Sequence, residues 1–216
     1  MGEKNNFEVM GDLQGYFKEG ERKAIYNHAE TLRDKALIRL LWVTGRRVGE
    51  ILSIRISEID FQSKSVLIHV EKKTKKIGVD ETGKAIKGKY DKTSLSYLDD
   101  FTIRLLLAYV SSNNLNPNDY LFKSEFIPEK HITRQRAFQI VRNCCTKAGI
   151  FKVGNKEPHP HHFRHSYAID QANNMNSPAD IRKLEMAMDH SSLAVTEKYL
   201  KFADKEIRKL VDNVRD

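Results

Sequence analysis

Between Thr31 and Gly45 the chain reads as one helix that is apolar on nearly every face, and such a helix must lie inside whatever the chain folds into. Ala36, Leu37, Ile38, Leu40, Leu41 and Trp42 fill its body. Thr31 with Asp34 three residues on resembles a capping box at its start. Gly45 supplies its C-terminal stop. Other elements must pack around it. Helices are expected over 21–31, from Arg47 to Ser53, from Tyr97 to Val110 with Ser96 as cap, and from His161 to about Asn173. Another is expected from Thr133 through Lys147, with Phe138, Val141 and Cys145 on one face. Ser177-Pro178-Ala179-Asp180 is a strong start signal for a further helix. Ser192 can cap a helix carrying Tyr199, and a last helix is expected from about Asp204 to Val214.

Val66 to Val70 is a β-type run, followed by a lysine-rich segment containing Gly78, Gly83 and Gly88 before the chain returns at Thr93-Ser94-Leu95. This predicts a strand pair joined by a long, basic, mobile hairpin. The expected fold class is mainly α with a small antiparallel β-sheet (α+β). The 216 residues, 40% of them hydrophobic, suffice for a real core. Residues 1–20 are expected to be a leader or linker, and residues 21–216 one domain.

Lys and Arg outnumber Asp and Glu 37 to 29, a net charge of +8. That surplus favours a polyanionic partner, because neutralising phosphates releases counterions. The two cysteines, Cys144 and Cys145, are adjacent and form no Cys-x-x-Cys pair, which fits small residues of a helix in a reducing compartment. No apolar run resembles a signal peptide or spans a bilayer. A soluble, cytoplasmic protein is the expectation.

Five residues carry a chemical pattern. Arg47 follows the buried helix, His161 and Arg164 stand three apart, and His190 precedes Tyr199 by nine. Breaking a phosphodiester by transesterification needs a nucleophile, charge stabilisation on the non-bridging oxygens, an acid for the leaving oxygen, and alignment. A tyrosine can form the covalent link to phosphorus, but its phenol has a pKa of about 10 and needs nearby cations or a proton acceptor. Arginine suits the phosphate because its planar fork donates two parallel hydrogen bonds. His161 and Arg164 share a helix face, and a hairpin lysine can protonate the leaving oxygen. Arg46 is expected at the surface. His161 and His165, at i and i+4, could hold a metal, but no acid or cysteine accompanies them, so no metal is expected; His165 and Ser166 are expected to pack or hydrogen-bond beneath the site.

These residues resemble the catalytic domain of the tyrosine recombinases, the phage integrase or Xer-type family. Thr44-Gly45-Arg46-Arg47-Val48-Gly49-Glu50 resembles the family's Thr-Gly-x-Arg-x-x-Glu box, with Arg47 as catalytic arginine and Glu50 as the acid that braces the site. His161-His162-Phe163-Arg164-His165 resembles its His-x-x-Arg-His box. Met188-Asp189-His190-Ser191-Ser192-Leu193 resembles its Leu-Gly-His-x-x-Leu box, with Asp189 where glycine is usual, and Tyr199 falls at the nucleophile's spacing. Lys73-Thr74-Lys75-Lys76 resembles the Lys-Thr-x-Lys stretch of its β-hairpin, with Lys73 as general acid and Lys72, Lys75 or Lys92 as alternatives.

The resemblance covers roughly residues 20–210. It implies a catalytic set of Arg47, Lys73, His161, Arg164, His190 and Tyr199, with no metal, cofactor or ATP. It implies a site-specific recombinase or integrase acting on double-stranded DNA through a 3′-phosphotyrosyl intermediate, working as a homodimer or homotetramer. Residues 204–216 are the candidate for contact with a neighbouring copy. The family's N-terminal core-binding domain is expected to be missing, with a weaker grip on DNA as the consequence. The alternatives are a type IB topoisomerase-like enzyme and a DNA-binding protein with an unused site.

Overall fold

The structure is a computed structural model that describes residues 15–79, 85–174 and Met188; the side chains of residues 71–92 fall outside the description. Among the described residues, six named helices and one small sheet follow in chain order. They are α1 (Glu19–Asn27), α2 (Leu32–Thr44), α3 (Val48–Leu52), a single 3-10 turn (Ile56–Glu58), β1 (Ile59–Asp60), β2 (Ser65–Val79), β3 (Ala85–Tyr97), α4 (Asp100–Ser112), α5 (Arg134–Lys147) and α6 (His161–Asn173). The mainly α class with an antiparallel sheet is what the patterning predicts.

Helix α2 is the central post. Thr31 caps it by accepting the Asp34 amide at 3.1 Å, and Ala36, Leu37, Ile38, Leu40 and Leu41 are all buried. It packs against α1, α4 and α6. Burying one such aliphatic side chain contributes about 1.5–3 kcal/mol, so the post anchors everything around it. Trp42 is half-buried between two cations, with Arg22 5.3 Å and Arg39 4.9 Å from its ring centroid.

The chain leaves α2 through Gly45, whose φ of 60° is left-handed. A Cβ placed there would also lie 2.4 Å from Cδ1 of Tyr167 on α6. Glycine therefore answers two demands at once: a backbone conformation L side chains rarely adopt, and close approach of the turn to α6.

The three strands form an antiparallel sheet in the order β1-β2-β3. Val66, Ile68 and Val70 face the core, while Leu67 and Leu95, a cross-strand pair, are exposed. The lysine-rich segment is not the loop expected from sequence. It is paired strand, with β2 running to Val79 and β3 starting at Ala85. Backbone pairing needs no apolar side chains, and two register shifts carry the ladder onward. Glu71 and Lys72 stand opposite the single residue Asp91, and Ile77 is an extra residue between Lys76 and Gly78.

Two local expectations fail. Ser96 does not cap a helix; it pairs with Val66 inside the sheet, and Asp99 caps α4 by accepting the Thr102 amide at 2.8 Å. Phe138 is 42% exposed, because α5 turns Ala137, Ile140, Val141, Cys144 and Cys145 inward. Thr133 caps α5 as expected, accepting the Arg136 amide at 3.1 Å. Both cysteines are buried free thiols, and burial raises their pKa to about 11 and about 12. The helix starts expected at Ser177, Ser192 and Asp204 lie outside the described residues. No described helix is long and apolar enough to cross a membrane.

The stretch from Gly15 to Lys18, placed by sequence in the leader, lies against α6. Phe17 is fully buried, its ring 4.8 Å from Phe163 and 5.5 Å from His162 between centroids. Its amide donates to Ser166 Oγ at 2.9 Å. Ser166 Oγ also lies within donating distance of the Phe17 and His162 carbonyls. Arg22 of α1 pairs with Asp170 of α6. The helix bearing His161 and Arg164 is thus fixed from both sides, by α2 and by the chain leading into α1.

Replacing Gly45 by alanine should cost about 1–3 kcal/mol from backbone strain alone, with the clash against Tyr167 in addition. Urea denaturation should show a lower midpoint at unchanged slope; an unchanged midpoint would contradict this reading of the turn.

Candidate active site

Arg164 is the hub. It is 3% exposed. Its Nη1 donates to the Gly45 carbonyl at 2.9 Å, and its Nη2 donates to the carbonyl of Met188, which is itself fully buried. One guanidinium on the second turn of α6 therefore ties together the turn after α2 and the segment that reaches His190 two residues later in sequence. A planar fork with five N–H donors can serve several acceptors at once; an ammonium on a flexible stem holds no such geometry.

Arg47 follows that turn as the residue before α3. Its amide donates to Glu50 Oε2 at 3.1 Å and its Nη1 to Glu50 Oε1 at 2.9 Å. The Glu50 carboxylate is fully buried, while the Arg47 side chain is 31% exposed. A buried acid grips the inner side of the guanidinium and leaves the residue open to solvent. The bracing role expected of Glu50 has its geometric counterpart here.

His161 sits at the tip of α6. The charges of Arg164 and Arg47 both act on it, so the two predicted arginines and the predicted histidine share one neighbourhood. The rings around it form a stack: His159 and His162 are 3.8 Å apart between centroids, and Phe138 of α5 stacks on His159 at 6.1 Å. The His159 amide donates to Nδ1 of His162 at 3.2 Å, and the His161 amide donates to Nδ1 of His159 at 3.3 Å. Each Nδ1 accepts only when unprotonated, so the network favours neutral rings. Desolvation of its inner side, then Arg164, His159, Arg47 and Lys156, push His161 down to about 4, although the residue keeps an exposed edge. Burial, then the neighbouring histidines and Lys156, push His162 down to about 3. Among the described residues no group of three or more His, Cys, Asp or Glu is placed to hold a metal.

Arg46 corrects the sequence reading. Expected at the surface, it is 2% exposed. Its Nη2 donates to Ser94 Oγ, and its Nε reaches Ser96 Oγ at 3.4 Å. An Arg-Arg doublet does not say which member turns inward. The signal that could have told was on the other strand, where two serines alternate on the core face of β3.

Lys73 lies on β2, paired with Tyr90, immediately after the first register shift; its side chain is outside the description. His190 and Tyr199 lie outside the described residues. A cleft of about 660 Å³ lined by Thr31, Arg33, Tyr109 and Lys123 is at the opposite end of α2 from Arg47 and has no part in this arrangement.

The histidine stack makes stability pH-dependent with a definite sign. Between pH 6.5 and about 4, the unfolded chain binds protons at His161 and His162 that the folded chain does not. Stability therefore rises with pH across that window and falls on acidification. The urea midpoint should drop as pH goes from 6.5 to 5, and His162→Gln should flatten that drop. A midpoint constant over this range would contradict the neutral-stack description.

The model of the family described as "Phage integrase family" matches residues 16–206. Tyrosine recombinase XerC of Staphylococcus aureus (strain bovine RF122 / ET3-1) is 29% identical over 216 residues, covering 93% of this chain. The chain spans 61% of that relative's length. The crystal structure of XerA recombinase has a TM-score of 0.69 at 25% identity, over 93% of this chain and 64% of that one. A post-cleavage complex of XerH site-specific recombinase with a palindromic difH substrate shares the fold, with a TM-score of 0.69 at 20% identity over 94% of this chain and 54% of that one. With the Arg47 turn, the His161–Arg164 helix and the hairpin in the predicted order, the chain belongs to the phage integrase family.

Proposed function

We propose that this chain is the catalytic part of a site-specific DNA recombinase that cuts and rejoins double-stranded DNA through a 3′-phosphotyrosyl intermediate. The observation that carries the reading is the Arg164 bond to the Gly45 carbonyl, which brings two boxes over a hundred residues apart into one cationic site. Tyr199 attacks the scissile phosphorus: the Tyr199 Oη–P bond forms, the P–O5′ bond breaks, and a 5′-hydroxyl is freed. Arg47, Arg164 and His190 stabilise charge on the non-bridging oxygens. His161, neutral before DNA arrives, becomes more basic beside the phosphate anion and can take up the tyrosine proton. Lys73 protonates the leaving oxygen. Attack by the 5′-hydroxyl of a partner strand reverses these steps and completes exchange. The phosphotyrosyl bond retains the energy of the broken one, so neither ATP nor metal is required.

A palindromic substrate, as in the XerH complex, offers the same half-site twice and calls for two-fold symmetric protein. We assign a homodimer or homotetramer on DNA to this chain on the same grounds. Residues 204–216 are the candidate for contact between copies, and the cytoplasm is the compartment where such a substrate lies.

A nicked suicide duplex tests the reading, because loss of the short product traps the covalent adduct. Wild type should accumulate adduct equally with and without EDTA, Tyr199→Phe should form none, and Arg47→Ala should form it about 10²–10³-fold more slowly. Binding without adduct would leave only a DNA-binding role. Relaxation of supercoiled plasmid without strand exchange would favour the topoisomerase-like alternative.

A further inference from the structure

We infer that Arg46 is a positioning residue, clamping the β2–β3 hairpin to the turn that carries Arg47 so that the hairpin lysine is held in reach of the leaving oxygen. The inference rests on the proposed strand-transfer chemistry, and the clamp itself stands on geometry. In an antiparallel ladder, directly opposed residues project to one face. Ser96 opposes Val66 and Ser94 opposes Ile68, so both serines lie on the side where Val66 and Ile68 enter the core. Strand β3 thus presents hydroxyls to the core at two successive inward positions. Thr93, Leu95 and Tyr97, between and beside them, are exposed.

The Arg46 guanidinium fills that polar notch, donating to both hydroxyls from a side chain 2% exposed. Its backbone is fixed in turn: the Arg46 amide donates to Thr44 Oγ1 at 3.3 Å, and Thr44 Oγ1 donates to the Leu40 carbonyl at 2.6 Å. Adjacent residues therefore look in opposite directions for one purpose. Arg47 opens to solvent where a phosphate would sit, and Arg46 turns inward to fasten the strand pair bearing Lys73. A charge buried this deeply would be costly as filler. A methionine of similar length would fill the space, whereas only a fork can bind two hydroxyls on one strand.

Lys73 pairs with Tyr90, four residues along β3 from Ser94, so tilting the hairpin base displaces the lysine further than the base itself moves. A displacement of about 1 Å at a reacting group is enough to cost about 10²-fold in rate.

The test uses the full chain with Arg46→Met and the milder Ser94→Ala, each checked for native circular dichroism, and two readouts. Hydrogen exchange should speed up at the β2–β3 amides in both variants while α2 amides keep their protection. Single-turnover cleavage is then compared on two nicked duplexes, one ordinary and one with sulfur replacing the bridging 5′ oxygen. Sulfur leaves as a weakly basic thiolate and needs no proton donor. Arg46→Met should cleave the ordinary duplex about 10²-fold more slowly and the sulfur duplex near the wild-type rate, with Ser94→Ala shifted the same way but less. Unchanged hairpin exchange, or equal slowing on both duplexes, overturns the inference. Failure of wild type to cleave either duplex would instead sink the proposed chemistry, and the exchange readout would still decide whether the clamp exists; should Arg46→Met not fold, Ser94→Ala carries both readouts.

Discussion

The site depends on one buried guanidinium. Arg164 reaches from α6 to the Gly45 carbonyl and to the Met188 carbonyl, and it can do so only because the Gly45 turn lies against the ring of Tyr167 with no Cβ between them. The turn in turn directs the two residues that follow. Arg46 enters the core toward β3, and Arg47 stays at the surface on the carboxylate of Glu50. A bulkier residue at 45 would move the turn off α6 and separate the arginines that meet the phosphate in the proposed chemistry. Stability and candidate chemistry thus share a single joint.

Electrostatics explains why the joint is built so carefully. Arg46 and Arg47 follow directly on Gly45, whose carbonyl Arg164 binds, so three like charges gather at one turn, and like charges repel. The chain answers this in three ways. Glu50, buried, neutralises the inner side of Arg47. Carbonyls and hydroxyls, which carry no net charge, receive Arg164 and Arg46. Burial and the neighbouring charges hold His161 and His162 below the ordinary histidine range, and the Nδ1 atoms of His159 and His162 act as acceptors. What is left is a partly exposed Arg47 near an imidazole held below its usual pKa, an arrangement that suits the anion of the proposed chemistry. Such preorganisation is where most electrostatic catalysis comes from.

Much of this was legible in the residues because strong local signals coincide with tertiary roles. An all-apolar helix capped by Thr31 and stopped by Gly45 has to be central, and it is. Box spacing placed Arg47 at the start of α3 and put His161 and Arg164 on α6. What escaped the sequence depended on partners distant along the chain. The inward turn of Arg46 is decided by serines about fifty residues away. The burial of Phe17 is decided by Ser166 and the rings of α6. The lysine-rich segment looked like a loop because its composition is polar and glycine-rich, yet strand pairing is a backbone property that such a composition does not forbid. Val141 and Cys145 turn inward as the spacing of α5 suggests, whereas Phe138 falls at the margin of that face and stays 42% exposed, because the stripe centres on Ala137, Val141 and Cys144.

The most direct measurement of the central claim is single-turnover DNA cleavage by Arg164→Lys, alongside its thermal melt. Lysine keeps the positive charge but cannot hold the two carbonyls in one plane and also meet the phosphate of the proposed chemistry. If Arg164 is the joint described here, cleavage falls about 10²-fold or more and the melting temperature drops as well, because the Gly45 turn and the Met188 segment lose their common partner. Cleavage and melting both at wild-type values would show that charge alone suffices, and would contradict the account.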